Sequence, residues 1–108
     1  MDTIAREELK EKLDGQEDLK LVMVLGEWAY RAKHIPGSLH FSTIEEGLEA
    51  LDPNEDIVVY CSNVSCLASI AAYRYLRDQG YKHVRRYAGG VQDWEEAGYP
   101  LEGEFVEQ

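Results

Sequence analysis

Cys61 and Cys66 are the only two cysteines in the 108-residue chain, and they stand five positions apart. A cysteine does chemistry as its thiolate, which is at once a nucleophile, a carrier of sulfur and one half of a disulfide. A pair this close is a poor disulfide framework for a fold, and two ligands are too few for a structural zinc site. The pattern therefore points to a reduced, reactive thiol. Cys61 closes the apolar run Ile57-Val58-Val59-Tyr60, and the polar stretch Ser62-Asn63-Val64-Ser65 follows it. A loop from a strand end to a helix start gathers unpaired backbone N–H groups, and the helix adds partial positive charge at its amino end. A thiol among those donors ionises below the ~8.5 of a free cysteine. The same donors would hold the negative charge of a persulfide formed on it. The residues alone leave a second reading open, in which Cys61 is a small apolar residue ending a buried strand.

The surrounding elements must place that loop. Ile57-Val58-Val59-Tyr60 is the strongest strand signal, β-branched and uninterrupted, and Leu19 to Leu25 reads as a second strand buried on both faces and stopped at Gly26. Ile4 opens a brief strand, Ser38 to Phe41 forms another, and His83 to Tyr87 a fifth. Between them, the spacing of Leu9 and Leu13 predicts a helix ending at Gly15, and a short helical stretch is expected around Trp28 to Ala32. Ser42 with Glu45 forms a capping box for a helix whose buried stripe is Ile44, Leu48 and Leu51, ended by Asp52-Pro53-Asn54. Leu67, Ile70, Tyr73 and Leu76 mark a helix from about Cys66 to Gln79, closed by Gly80. Gly89-Gly90 permits a tight turn into a last helix carrying Trp94. Strands alternating with helices over short connections predict an α/β domain with a mainly parallel sheet covered on both faces. Right-handed crossovers then bring the strand ends, Cys61 included, to one edge, where ligands bind in such folds.

Length and composition narrow the functional classes. At 108 residues one domain spanning 1–108 is expected, with 103–108 as a tail that can flex. Eleven Lys and Arg against 21 Asp and Glu give a net charge of -10, which repels nucleic acid phosphates and anionic lipid. The acids are spread over helical faces as a solvated surface, and a basic protein partner remains open. The amino terminus, MDTIAREELKEKL, has no apolar stretch of signal-peptide length and nothing later approaches a membrane span, so a cytoplasmic protein without nucleic acid or membrane partners is expected.

Three segments together carry a family likeness: HIPGSLHF, IVVYCSNVSCLAS and GYKHVRRYAGGVQDWEEAGYPLE. In this order and spacing they resemble a rhodanese-like sulfurtransferase domain of the single-domain type, over roughly Ile4 to Glu102. The resemblance implies a three-layer α/β fold with a central, mainly parallel five-stranded sheet and helices on both faces. It implies that Cys61 carries sulfane sulfur as a persulfide, attacking thiosulfate or a protein persulfide and passing the sulfur to a thiol or other thiophilic acceptor. The loop Ser62, Asn63, Val64, Ser65 and Cys66, with Leu67 closing it, would then be the anion-binding cradle, and neither a metal nor an organic cofactor is implied. HIPG is a structural corner in that family, so His34 is read as fixing a turn rather than as a general base. Trp94, Tyr87 and Tyr99 read as packing, and His40 and His83 carry no signal.

Two departures qualify the likeness. Many rhodaneses have an Asp-Val-Arg stretch where this chain reads Met23-Val24-Leu25, and the cysteine loop is one residue longer than the commonest form. A longer loop is similar to that of phosphatases and arsenate reductases on the same fold, but those phosphatases end the loop in an arginine that grips the dianion. CSNVSCLAS holds neither arginine nor lysine, which argues against phosphatase chemistry and weakens thiosulfate turnover in favour of a protein persulfide donor. Cys66 is placed either as a resolving thiol that attacks a persulfide or sulfenic acid on Cys61, or as a helix-start residue packed against the sheet. Two further functions stay in view: a thiol redox protein using Cys61 and Cys66, which requires their Cα atoms within about 7 Å, and a non-catalytic binding module on the same fold.

Overall fold

The computed structural model describes residues 1–41 and 43–106. In chain order the elements are α1 (Arg6–Asp14), β1 (Leu19–Met23), α2 (Glu27–Ala32), α3 (Ile44–Ala50), β2 (Asp56–Tyr60), α4 (Ala68–Asp78), β3 (Val84–Tyr87) and α5 (Gly90–Glu96). The strands form a parallel sheet in the order β1-β2-β3. Met23 lies opposite Tyr60 and Tyr60 opposite Tyr87, so the three carboxyl ends are level and open onto one edge.

β2 is the middle strand, and Ile57, Val58, Val59 and Tyr60 are all fully buried, which is why its sequence is an unbroken apolar run. Alternate residues supply the two cores. On one face Leu21, Met23, Val58, Tyr60 and Tyr87 pack with Leu9 of α1 and with Val91 and Trp94 of α5. On the other, Val22, Ile57, Val59 and Val84 pack with Leu51 and with Tyr73 and Leu76 of α4.

Where five strands are expected, the described residues form a three-stranded ladder, and the two expected outer strands meet it at one isolated parallel bridge each, Thr3 to Arg86 beside β3 and Leu39 to Val22 beside β1. Each flank has room for only two backbone hydrogen bonds. Arg86 N–H donates to the Asp2 carbonyl and Ile4 N–H to the Arg86 carbonyl before α1 begins, while Leu39 exchanges bonds with Leu21 and Met23 just past the turn at Pro36-Gly37. β1 is also shorter than expected and stops at Met23. Its partner β2 ends opposite that residue, leaving only the Tyr60 carbonyl to accept from Val24 N–H.

The cap of α3 moves by one residue from the expected position. Thr43 Oγ1 accepts the N–H of Glu46 at 3.1 Å, and the expected cap Ser42 lies outside the described residues, as does the side chain of Ile44. His34 occupies a corner: its Nδ1 lies 2.7 Å from the Tyr30 carbonyl, its ring stacks on Tyr30, and its backbone exchanges hydrogen bonds with Glu102. At the tail, Glu104 and Phe105 N–H donate to the Arg31 and Ala32 carbonyls at the end of α2.

Tyr60 ties this corner to the central strand. Its hydroxyl accepts the Ile35 N–H at 3.0 Å and donates to Ser38 Oγ at 2.9 Å. Burial pushes its pKa up to about 12, and Tyr87 is likewise raised by burial and by the Asp93 carboxylate, which accepts a hydrogen bond from its hydroxyl at 2.6 Å. The native state therefore keeps phenol protons that the unfolded chain loses near pH 10, so stability present below that pH falls as pH rises through about 12. For Tyr60 alone the loss is about 2–3 kcal/mol. We expect helix content to collapse together with late tyrosinate absorbance above pH 10. Independent titration of all seven tyrosines near the ordinary value, with helix content intact, would contradict this.

Candidate active site

The buried strand β2 delivers Cys61, itself only 1% exposed, to the carboxyl edge of the sheet. The first turn of α5 holds the stem of the loop that follows. Val91 N–H donates to the Cys61 carbonyl at 3.1 Å, and Gln92 N–H to the Ser62 carbonyl at 2.8 Å. These bonds require Gly90, whose φ is +66°, to lie directly against the loop backbone. A Cβ there would sit 2.4 Å from the Cys61 carbonyl oxygen and 2.8 Å from the Ser62 carbonyl carbon.

Asn63 folds the loop on itself. Its side-chain oxygen accepts Ser65 N–H at 3.0 Å and its carbonyl accepts Cys66 N–H at 3.1 Å, an Asx-type turn. The turn brings the Cα atoms of Cys61 and Cys66 to 6.3 Å, within disulfide range, and the two sulfurs are bonded. The expectation of a reduced thiol is therefore corrected for this structure: among the described residues no cysteine is free. Cys66 is half-buried and joined to Cys61 instead of merely packed at a helix start.

Two other expectations about the loop change. The amides of Ser65 and Cys66 are occupied by Asn63, so the donors left without an acceptor among the described residues are those of Ser62, Asn63, Val64 and Leu67. Leu67 does not start the buried stripe of α4. It is 73% exposed, the helix begins at Ala68, and its buried positions are Ser69, Tyr73 and Leu76. Val64 also faces solvent.

Sequence reasoning missed the cation. The loop has none of its own, yet Arg86 of β3 runs beneath it and is 7% exposed. Its Nε donates to Ser69 Oγ at 2.8 Å, and its Nη2 reaches the carbonyls of Val64 and Cys66, each at 3.4 Å. A guanidinium suits this task because its donors are fixed in a plane and it remains charged. The available signal was parity: Arg86 is two residues after the buried Val84, so strand alternation points it toward α4. Arg86→Leu leaves two carbonyls and a buried hydroxyl without their donor, and we expect the reduced protein to lose about 2 kcal/mol in urea unfolding. A change within about 0.5 kcal/mol would show that Arg86 does not hold the loop.

Met23-Val24-Leu25 supply no acid or base near this edge. Met23 is buried, and all three residues line an apolar cleft of about 460 Å³ between α3 and α4. On the other side of the loop, Val64 borders a wider groove of about 690 Å³ between residues 3–7 and α5. Arg6 and Asp93 pair across that groove at 3.0 Å. Among the described residues no group of three His, Cys, Asp or Glu is arranged to hold a metal, and no helix is long and apolar enough to cross a membrane.

The parallel α/β sheet that carries Cys61 at the carboxyl end of its central strand has the rhodanese-like fold. The chain belongs to the rhodanese-like domain family, whose model matches residues 5–97. A sulfurtransferase of Allochromatium vinosum is 30% identical over 91% of this chain and 92% of its own length. YtwF of Bacillus subtilis, provisionally named a sulfurtransferase, is 34% identical over 81% of this chain and 84% of its own. YrkF of the same organism, provisionally named a sulfur carrier protein, is 32% identical over 84% of this chain, which spans only 49% of that protein. Among solved structures, the rhodanese-like domain of Alr3790 from Anabaena superposes with a TM-score of 0.86 at 25% identity, over 97% of this chain and 81% of that one.

Proposed function

We propose that the chain, when reduced, is a persulfide carrier with Cys61 as its catalytic residue. The Cys61 thiolate attacks the outer sulfur of thiosulfate or of a protein persulfide. The S–S bond of the donor breaks, sulfite or a thiolate leaves, and the sulfane sulfur remains on Cys61 as a persulfide anion. A thiol or other thiophilic acceptor then takes that sulfur and returns the thiolate. The observation that carries this reading is the position of Cys61 at the end of the buried central strand, at the root of a loop whose Ser62, Asn63, Val64 and Leu67 amides have no acceptor among the described residues. Such amides are suited to an anion, and the buried Arg86 adds a positive charge under the loop that the sequence did not advertise.

The chain carries a net charge of -10, which suits a positively charged protein donor better than a free dianion arriving from solution. A reducing compartment such as the cytoplasm would keep the thiol form available. A second reading, a thiol redox protein, is favoured by the Cys61–Cys66 disulfide itself.

The test uses reduced protein carrying Cys66→Ser, so that Cys61 is the sole thiol. After incubation with thiosulfate, and separately with glutathione persulfide, intact mass should rise by one sulfur, about 32 Da, and cyanide should remove it. No gain from either donor would end the persulfide reading and leave the redox pair.

A further inference from the structure

We infer that Cys66 gives this domain a second activity, reductive release of the carried sulfur as hydrosulfide, with the Cys61–Cys66 disulfide as its protein product. The inference rests on the reading of Cys61 as the persulfide-bearing residue. In the step, the Cys66 thiolate attacks Cys61 Sγ. The bond between Cys61 Sγ and the sulfane sulfur breaks, a new bond joins the two cysteines, and the sulfane sulfur departs with the electron pair. It takes up the proton that Cys66 gave up and leaves as hydrosulfide. The sulfane sulfur is reduced by two electrons and the cysteine pair is oxidised by two, so no outside oxidant is needed. Each further turnover requires a dithiol reductant, which opens the disulfide and becomes a disulfide itself.

Three features of the loop carry the inference. First, the structure is already the product of that displacement: the sulfur bonded to Cys61 Sγ is that of Cys66, with the Cα atoms 6.3 Å apart. Reaching it asks for no unfolding of a helix or strand, because both cysteines lie outside β2 and α4. Second, the backbone of Cys66 is fixed from both sides. Its N–H is held by the Asn63 carbonyl at 3.1 Å and its carbonyl by Arg86 Nη2 at 3.4 Å, so the attacking residue is held in place instead of sampling a mobile loop. Third, the anchor of that clamp is buried. Arg86 Nε is bonded to Ser69 Oγ, and both residues are more than nine-tenths buried. A loop used only to cradle an anion would not need two of its amides, those of Ser65 and Cys66, turned inward onto Asn63. That folding withdraws donors from the cradle and aims Cys66 at Cys61.

The result is a branch point. A persulfide on Cys61 passes to an acceptor if one docks promptly, and otherwise is discharged by Cys66 as hydrosulfide.

The experiment compares wild type with Cys66→Ser, both reduced, freed of reductant under argon and loaded with thiosulfate or glutathione persulfide. Intact mass and hydrosulfide are followed after the donor is removed. Cys66→Ser should gain about 32 Da and keep it. Wild type should end about 2 Da below its reduced mass, having released about one hydrosulfide per chain, while a donor-free control stays reduced. Wild type that keeps its extra sulfur as long as Cys66→Ser would overturn the inference and leave the carrier reading standing. Disulfide formation at the same rate without donor would also overturn it. If neither protein gains sulfur, the carrier reading itself fails and the inference goes with it.

Discussion

Cys61→Ser is expected to abolish sulfur loading altogether while leaving the fold in place. The hydroxyl is a little smaller than the thiol and enters a site that is 1% exposed at the end of β2, so the packing volume is nearly kept. The new oxygen lacks an evident partner there, and under reductant, where wild type also has no cross-link, a penalty of about 1 kcal/mol is expected. Chemistry, in contrast, has nothing to fall back on. A serine hydroxyl stays protonated at neutral pH in this loop, and serine cannot hold sulfane sulfur as a persulfide. Intact mass after thiosulfate or glutathione persulfide should show no gain, against the gain of Cys66→Ser. A Cys61→Ser protein that loads as fully as Cys66→Ser would transfer the carrier role from Cys61 to Cys66.

Gly90→Ala is expected to cost about 2–4 kcal/mol of stability and to slow sulfur loading by about a hundredfold. Two penalties coincide at this residue. Its φ of +66° is one that alanine rarely adopts, and the added Cβ would fall 2.4 Å from the Cys61 carbonyl oxygen, 2.8 Å from the Ser62 carbonyl carbon and 2.9 Å from the Asn63 nitrogen. All three obstacles are backbone, so no flexible side chain can swing away. Relief must come from separating α5 from the loop, which sacrifices the bonds from Val91 and Gln92 to the carbonyls of Cys61 and Ser62. Urea denaturation gives the first quantity, and mass-detected loading, at a temperature where the variant remains folded, gives the second. A variant within about 0.5 kcal/mol of wild type would show that the two backbones can part without penalty.

The legible parts of the fold were those where one physical factor dominated. Ile57 to Tyr60 could be read as a buried strand because burial on both faces left no polar position to interrupt the run. The edges were harder: whether Ser38 to Phe41 makes a ladder or a single bridge depends on how long that segment runs alongside β1, which composition does not record. At the site, the strand before Cys61 fixes that residue's position at the sheet edge, while its role came from the family likeness and not from the spacing. Leu67 was misread because its helical spacing from Ile70 is real, yet the turn at Asn63 ends with the chain facing water before α4 has begun. Arg86 was missed because a search of the loop's own letters cannot find a side chain that arrives from β3. The disulfide was legible only as a possibility, since spacing permits the approach of two cysteines but the Asx turn achieves it.

Arg86 also joins two parts of the molecule that are far apart along the chain. Its backbone is held by Asp2 and Ile4 on the sheet's flank, while its side chain holds Val64, Cys66 and Ser69. The leading residues thus brace the sulfur-handling loop from outside: peeling Asp2 to Ile4 from the sheet would remove the two backbone bonds on one side of Arg86 and leave β2 as its remaining strand neighbour. An affinity tag or a cleavage ahead of α1 that disturbs those two bonds is therefore expected to change loop behaviour without touching either cysteine.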